Sequence, residues 1–378
     1  MAAKICMLTS AHHPVLDSRI FYKESTTLHA AGYDITVIGP HAADSVENGI
    51  KIRAFPRAKN RFERMLFTPW RILARGLREN ACVYHFHDPD LIPMGLLLKL
   101  LGAKVVYDVH EDYPLSIKAK DWLPPFVRSI VAGIFDVFEK MASRSFDGTI
   151  SATEDISRRF PANKGRILHN YPVLTYTQKA APEPHGANST LVYAGNLTRD
   201  RGIREMVKSL EYIDDRFRAR LTLMGMFLDS SYGEEVKSMK TFSKVDFTGF
   251  IPLDQVYSRL FASDIGLVLL QPTPRYITSM PIKMFEYMTA GLPIIASNFP
   301  LWKEIVEGNN CGLTVDPTDS EEIARTVEYM LARPELMEKM GENGRKAALE
   351  KYSWASESMK LLSLYKELLK SNGAVRKV

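Results

Sequence analysis

The first half of the chain alternates short runs rich in β-branched and aromatic residues with stretches whose apolar positions recur every three or four residues. KICMLTS opens the series, a helix is predicted from about Ser18 to Ala31, and DITVIGP follows. Asp17 is placed to cap that helix and Gly32 to stop it, which sets it between two strands. VYHFH at 83–87, KVVYDVH at 104–110 and GTISA at 148–152 read as further strands with helical patterns between them. Repeated βαβ units predict a parallel sheet covered on both faces.

After Pro172 the periodicity fades into VLTYTQKAAPEPHGANST. A segment so rich in Pro, Ala, Gly and Asn reads as a linker over 173–189. A second βαβ series follows: LVYAGNL at 191–197, a helix near Gly202 to Glu211, LTLMG at 221–225, VDFTGF at 245–250, DIGLVLL at 264–270 and PIIAS at 293–297. The expected organisation is α/β: a Rossmann-like domain over 1–172, the linker, a second over 190–352, and a C-terminal helix within 353–378. That helix carries Leu361, Leu362, Tyr365, Leu368 and Leu369 on one face. It packs either on the second domain or back on the first.

Composition agrees with two cores. A chain of 378 residues exceeds what one core usually serves, and 46% apolar with 25% charged residues describes an ordered globular protein. The N-terminus runs into His12, His13 and Asp17 without a signal-peptide core, and Lys99 and Lys104 break the apolar segment 91–107, so no segment is expected to span a bilayer. Cys6, Cys82 and Cys311 have neither disulfide nor metal spacing, which points to a reducing cytoplasm.

The net charge of +5 lies in the first half. Lys51, Arg53, Arg57, Lys59, Arg61, Arg64, Arg71, Arg75 and Arg78 have only Glu63 as a counter-charge before Glu79, a density that attracts anions. Thr68 and Pro69 start a predicted helix on which Arg71, Arg75 and Arg78 form one stripe, with Ile72, Leu73 and Leu77 facing away. The stripe is either a solvated face or a contact with anionic lipid.

In doubly wound sheets, ligands bind where loops and helix N-termini converge at the carboxyl ends of strands. One such place is Ala194-Gly195-Asn196-Leu197-Thr198-Arg199-Asp200-Arg201-Gly202, where Gly195 permits close backbone approach and Arg201 stands near a helix start. Another is the run Thr278-Ser279-Met280-Pro281-Ile282-Lys283-Met284-Phe285-Glu286 ahead of Gly291 and PIIAS. Pro281 suits a first helical turn, so amides near Ser279 to Ile282 point at an anion and Glu286 lies one turn further in. A carboxylate there can accept both hydroxyls of a ribose.

This run resembles the donor-site signature of retaining GT-B glycosyltransferases of family 4. The resemblance implies two Rossmann-like domains with a cleft between them and a C-terminal helix crossing back to the first. It makes Glu286 the ribose-binding residue. Gly195 to Gly202 is similar in spacing to the family's Gly–Arg–x–x–x–x–Lys–Gly phosphate loop, with Arg201 in place of the Lys and Asn196 in place of the Arg. The strand-end His of KVVYDVHED, here His110, is expected beside the donor sugar, Phe250 and Ile251 of VDFTGFIP beside the base. The donor-binding set thus comprises Gly195, Asn196, Arg201, Phe250, Ile251, Thr278, Ser279, Met280, Pro281, Ile282, Lys283 and Glu286, and the catalytic set His110, Arg201 and Glu286. The opening loop resembles one that closes over sugar or acceptor, and the expected acceptor contacts are His13, Asp17, Arg19, Asp88 and Asp112.

One departure stands out: the family's second Glu, eight positions before Glu286, is here Thr278. Asp88-Pro89-Asp90 mimics the D-x-D metal motif of the other large glycosyltransferase fold, but Pro89 fits a turn after VYHFH. His85, His87 and Asp88 do not form a closed zinc set. The expectation is a cytoplasmic, metal-independent enzyme without cofactor, peripheral on the membrane. It moves a sugar, with UDP as the expected carrier, onto a saccharide or lipid-diphosphate acceptor in surface polysaccharide or glycoconjugate synthesis, with no nucleic-acid partner. A non-catalytic nucleotide-sugar-binding subunit and a sugar-nucleotide 2-epimerase stay open as alternatives.

Overall fold

The computed structural model describes residues 2–10, 14–120, 123–174 and 188–370. The chain divides into two compact units, one formed by 1–170 with 355–378 and the other by 171–354. Most of the expected linker lies outside the described residues.

In the first unit, strands β1 (Lys4–Leu8), β2 (Asp34–Pro40), β3 (Ser45–Glu47), β4 (Ile50–Phe55), β5 (Val83–Phe86), β6 (Lys104–Val109), β7 (Gly148–Ser151) and β8 (Gly165–Ile167) form one sheet. Its order is β3-β4-β2-β1-β5-β6-β7-β8, parallel throughout except for β3 against β4. That hairpin is closed by Asn48 and Gly49, both at positive φ, and was not among the expected elements. The strands are apolar because both faces are covered: Ile5, Leu8, Val83, Phe86, Val105 and Tyr107 are fully or almost fully buried. The helix after β1 begins as a π-helix over Ile20–Ser25 and continues as an α-helix over Thr26–Ala30.

The second unit has strands β9 (Thr190–Ala194), β10 (Arg220–Met224), β11 (Val245–Gly249), β12 (Ile265–Val268), β13 (Ile294–Ser297) and β14 (Gly312–Val315). They run in the order β11-β10-β9-β12-β13-β14, with every pairing parallel. Two buried clusters sit on its two faces, one around Leu221, Leu223 and Leu267, the other around Phe285, Tyr287 and Trp302.

The C-terminal helix, Trp354–Lys370, contributes to the first unit. Glu357 accepts the His169 amide at 3.0 Å, Glu367 pairs with Arg166 at 2.6 Å, and the Tyr365 hydroxyl meets His85 Nδ1 at 2.9 Å. Leu364 lies so close to β7 that a Cβ on Gly148 would stand 3.3 Å from it.

Among the described residues, no helix is long and apolar enough to cross a membrane. The basic segment is less one-sided than its sequence suggests. Arg71 pairs with Glu63 of the segment itself, but Lys51 pairs with Asp34, Arg53 with Glu79 and Asp44, and Arg64 with Asp90, so strand pairing and loop folding bring in acids from outside the segment. On the helix Thr68–Glu79, Ile72 is buried but Leu77 is exposed, which narrows the apolar face. Cys82 is exposed, whereas Cys6 and Cys311 are buried.

Candidate active site

The second sheet reverses its strand order at β9, and that is where its loops separate. β9 pairs with β12 only through Leu191 and Val192. Beyond them, the Ala194 amide donates instead to the Tyr287 hydroxyl at 2.9 Å, from the helix Ile282–Ala290. Gly195 then turns at φ +137°, and its carbonyl passes where a Cβ on Gly225, itself at φ +148°, would stand 1.9 Å away. Only glycines allow so close a backbone approach.

Arg201 ends a single 3₁₀ turn, Arg199–Arg201, before Gly202 at φ +71° and the helix Ile203–Ser209. Its guanidinium lies 5.7 Å from the ring centre of Tyr276 and hydrogen-bonds Tyr193. Tyr276 in turn donates to Asp200 at 2.8 Å, and the Thr198 hydroxyl donates to the same carboxylate. Lys283, 4% exposed, reaches the other side of Tyr193: its Nζ donates to the phenolic oxygen at 3.0 Å. The Tyr193 hydroxyl donates to the Asn196 carbonyl at 3.0 Å.

The helix start falls slightly later than expected. Pro281 is the N-cap, and Ile282 and Lys283 form the first turn, so their amides have no carbonyl within the helix. Ser279 is committed to structure: its amide donates to Tyr276 O at 3.1 Å and its carbonyl accepts from Trp302 Nε1 at 2.7 Å. Met280 packs beside the Trp302 cluster, and Thr278 is exposed. Glu286 is half-buried one turn beyond Lys283. Phe250 is 81% exposed after Gly249, whereas Ile251 is partly buried against the core. The structure thus brings Gly195, Asn196, Arg201 and Lys283 together around Tyr193.

In the first unit, β5 and β6 carry a polar stripe. His85 aligns with Val106, and His85, His87, Asp108 and His110 follow the two-residue period of neighbouring parallel strands. Arg19 is 2% exposed and grips Asp108 with two hydrogen bonds of 3.0 Å, while its Nη1 donates to Leu168 O at 2.7 Å. Its Nε is also 2.9 Å from Glu24. His110 Nε2 lies 3.2 Å from Asp108 and 3.3 Å from His87 Nδ1, and His87 stacks on His85 at 4.5 Å.

Burial shapes the charge states here. It pushes the Glu24 carboxyl well above its usual range, with Asp108 adding to the push against Arg19. Asp108 is held well below the usual range because Arg19 and His110 outweigh its burial. Burial, then the neighbouring His87, drives His85 well below an ordinary histidine.

Candidate ligand atoms of Glu24, His85, His87 and Asp108 lie within 4.8 Å of one another and could hold a metal ion. Arg19 already brings a positive charge to both carboxylates. The described members of the expected acceptor set each have structural partners. Arg19 is buried in its ion pairs. Asp88 is fully buried and accepts from the Thr9 hydroxyl and the Ser10 amide, because it ties the β5 loop to the β1 loop. Asp17 accepts the Arg19 and Ile20 amides just ahead of the helix, and Asp112 caps the helix Tyr113–Lys118 through Leu115. His13 lies outside the described residues. Sequence reasoning passed over Glu24, Asp108, Tyr193 and Tyr276. Asp108 was findable, as an acid inside the apolar strand KVVYDV on the same face as His110.

Two α/β units with largely parallel sheets and glycine-bearing loops at their strand ends have the architecture of the GT-B class. A family model described as Glycosyltransferase Family 4 matches residues 18–170, and one described as Glycosyl transferases group 1 matches 177–347. The chain belongs to these family 4, group 1 glycosyltransferases. It is similar to an uncharacterized glycosyltransferase of Methanocaldococcus jannaschii, 26% identical over 184 residues, and the match spans 48% of this chain but only 46% of that one. Among solved structures it is similar to sucrose-phosphate synthase from Thermosynechococcus elongatus, with TM-score 0.78, 17% identity and coverage of 98% and 100% of the two chains. It is also similar to Anabaena Alr3699/HepE in complex with UDP-glucose, with TM-score 0.72, 14% identity and coverage of 96% and 99%.

Proposed function

We propose that the enzyme takes its sugar from a nucleoside diphosphate donor, with UDP as the carrier, and passes it with retention to a saccharide or lipid-diphosphate-linked acceptor. The process served is synthesis of a surface polysaccharide or glycoconjugate on the cytoplasmic side of a membrane. The observation that carries this reading is the convergence of Arg201 and the Lys283 amine on Tyr193 beside the Gly195 loop, with Lys283 in the first turn of its helix and Glu286 one turn beyond. Departure of the sugar leaves negative charge on the diphosphate, and fixed cations and amides stabilise it without reorganising. Glu286 holds the ribose. With Thr278 in place of a carboxylate, the acceptor hydroxyl attacks on the face the phosphate leaves, and a phosphate oxygen takes its proton. His110 orients the sugar. Protein groups alone balance the charge in this scheme, so transfer persists in a chelator.

Incubation of labelled nucleotide sugars with candidate acceptors, with the product anomer read by NMR, tests the reading. A retained anomer supports it. Inversion overturns the mechanism, and binding without transfer to any acceptor returns the chain to the non-catalytic alternative.

The membrane part of the proposal draws on the first unit. Phe62, Met65, Phe67 and Trp70 are exposed beside the exposed Arg71 and Arg78. The helix Pro125–Ser145 exposes Phe126, Ile130, Ile134, Val137 and Met141. Apolar side chains rimmed by cations suit the surface of an anionic bilayer. Sedimentation with phosphatidylglycerol vesicles should exceed that with phosphatidylcholine and fall with salt; equal binding to both sinks this part.

A further inference from the structure

We propose that Lys283 is the second cation of the donor-diphosphate subsite, supplied by the helix Ile282–Ala290 in place of the cation that Asn196 lacks in the phosphate loop. The inference rests on the nucleoside diphosphate reading above.

Three features of the geometry support it. A Cβ on Gly195 would stand 3.0 Å from Lys283 Nζ, so the amine lies directly against the loop backbone at the strand end. Lys283 and Arg201 approach one phenol from different elements, Lys283 Nζ at 3.0 Å from the Tyr193 oxygen and 4.4 Å from its ring centre. The carboxylate nearest in sequence to Arg201, Asp200, is held by Tyr276 and Thr198. Two basic side chains largely buried side by side raise the cost of charging each other, an arrangement that an anion bearing two or three negative charges relieves. A diphosphate has that charge and fits a glycine-lined strand end.

A thermodynamic signature follows. Burial, then Arg201, pushes the Lys283 amine well below the usual lysine range, while Glu286 and Asp200 oppose the shift. The Tyr193 hydroxyl is itself pushed up to about 12 by burial, so it stays a neutral hydrogen-bonding partner near neutral pH. The arriving diphosphate stabilises the ammonium form, so nucleotide binding shifts the amine toward protonation, with the proton drawn from solvent.

The experiment is calorimetric titration of the full-length protein at pH 8 with UDP, GDP, ADP and dTDP, and with the matching monophosphate. Each is run in two buffers of different ionisation enthalpy. The wild type should take up a substantial fraction of a proton per diphosphate. Lys283→Met should abolish that uptake and weaken diphosphate binding by about tenfold or more, with monophosphate binding much less affected. Lys283→Arg should retain most of the affinity but lose the uptake, because a guanidinium is already charged. That variant also keeps the test decisive if Lys283→Met folds poorly. Unchanged uptake in Lys283→Arg, or wild-type diphosphate affinity in a folded Lys283→Met, overturns the role of Lys283 and leaves the donor reading standing. Failure of the wild type to bind any of the diphosphates overturns both.

Discussion

Each unit keeps buried charge close to its central strands, but the two clusters differ in how they are balanced. In the first, Arg19 is bound to Asp108 and lies beside Glu24, with histidines filling the remaining space. In the second, Arg201 and Lys283 meet phenols; Asp200 and Glu286 act on them from a distance, Asp200 being hydrogen-bonded by Tyr276 and Thr198 instead of by either basic group. Charge that a protein neutralises itself is architecture, because removing one partner strands the other in a poorly solvating interior. Charge left for an outside ion to neutralise marks a ligand site.

The largest expected effect comes from breaking the balanced cluster. Arg19→Met leaves Asp108 buried without its cation, and denaturant unfolding should show a loss of about 3–5 kcal/mol, independent of any nucleotide. A variant that unfolds like the wild type would mean the first cluster is not structural. Arg201→Ala should do the reverse, leaving unfolding nearly unchanged while turnover with the true donor falls by about 10²–10³-fold. Glu286→Ala, by contrast, should raise the donor KM more than it lowers kcat.

His110 sits at the edge of the balanced cluster, with its side chain 10% exposed, and so tests where architecture ends. His110→Ala should reduce kcat by about 10²-fold with a circular dichroism spectrum like the wild type. Full activity would remove His110 from the site and make it one more buried partner of Asp108.

A smaller effect should appear in the pH dependence of stability. Because the Glu24 carboxyl is raised, the folded chain holds a proton that the unfolded chain has released once pH exceeds the ordinary carboxylate range. Stability from this group is therefore present at acid pH and lost as pH rises. Glu24→Gln removes the dependence, so its Tm relative to the wild type should climb between pH 5 and pH 8. A difference that shrinks would mean Glu24 is ionised beside Arg19. The smallest effect is expected at exposed Thr278, where Thr278→Ala should cost transfer no more than about 0.5–1.5 kcal/mol. A near-complete loss of activity would make that hydroxyl part of the mechanism.

Much of this protein was legible in its local patterns. Alternation of β-rich and helical segments led to two parallel α/β units, since strands buried on both faces must be apolar along their length. The helix start at Pro281 was placed to within one residue, and Gly291 stops that helix at φ +76° as expected. Asp17, expected as a cap, accepts the Arg19 and Ile20 amides just ahead of the helix, whose N-cap is Arg19. The β3–β4 hairpin carries its Asn-Gly signal too, but a purely βαβ expectation has no place for an antiparallel strand.

The sequence by itself determined the features set by neighbouring residues: periodicity, caps, stops, and a glutamate one turn inside a helix that begins at a strand end. Only the tertiary structure decided which charges meet. Arg19 finds Asp108 across 89 residues, Lys283 finds Tyr193 across 90, and Tyr365 reaches His85 across 280. Such pairs depend on strand order and on where a distant helix docks, and no local pattern encodes either. For the same reason the burial of Arg19 and Asp88, both expected as acceptor contacts, is visible only in the fold.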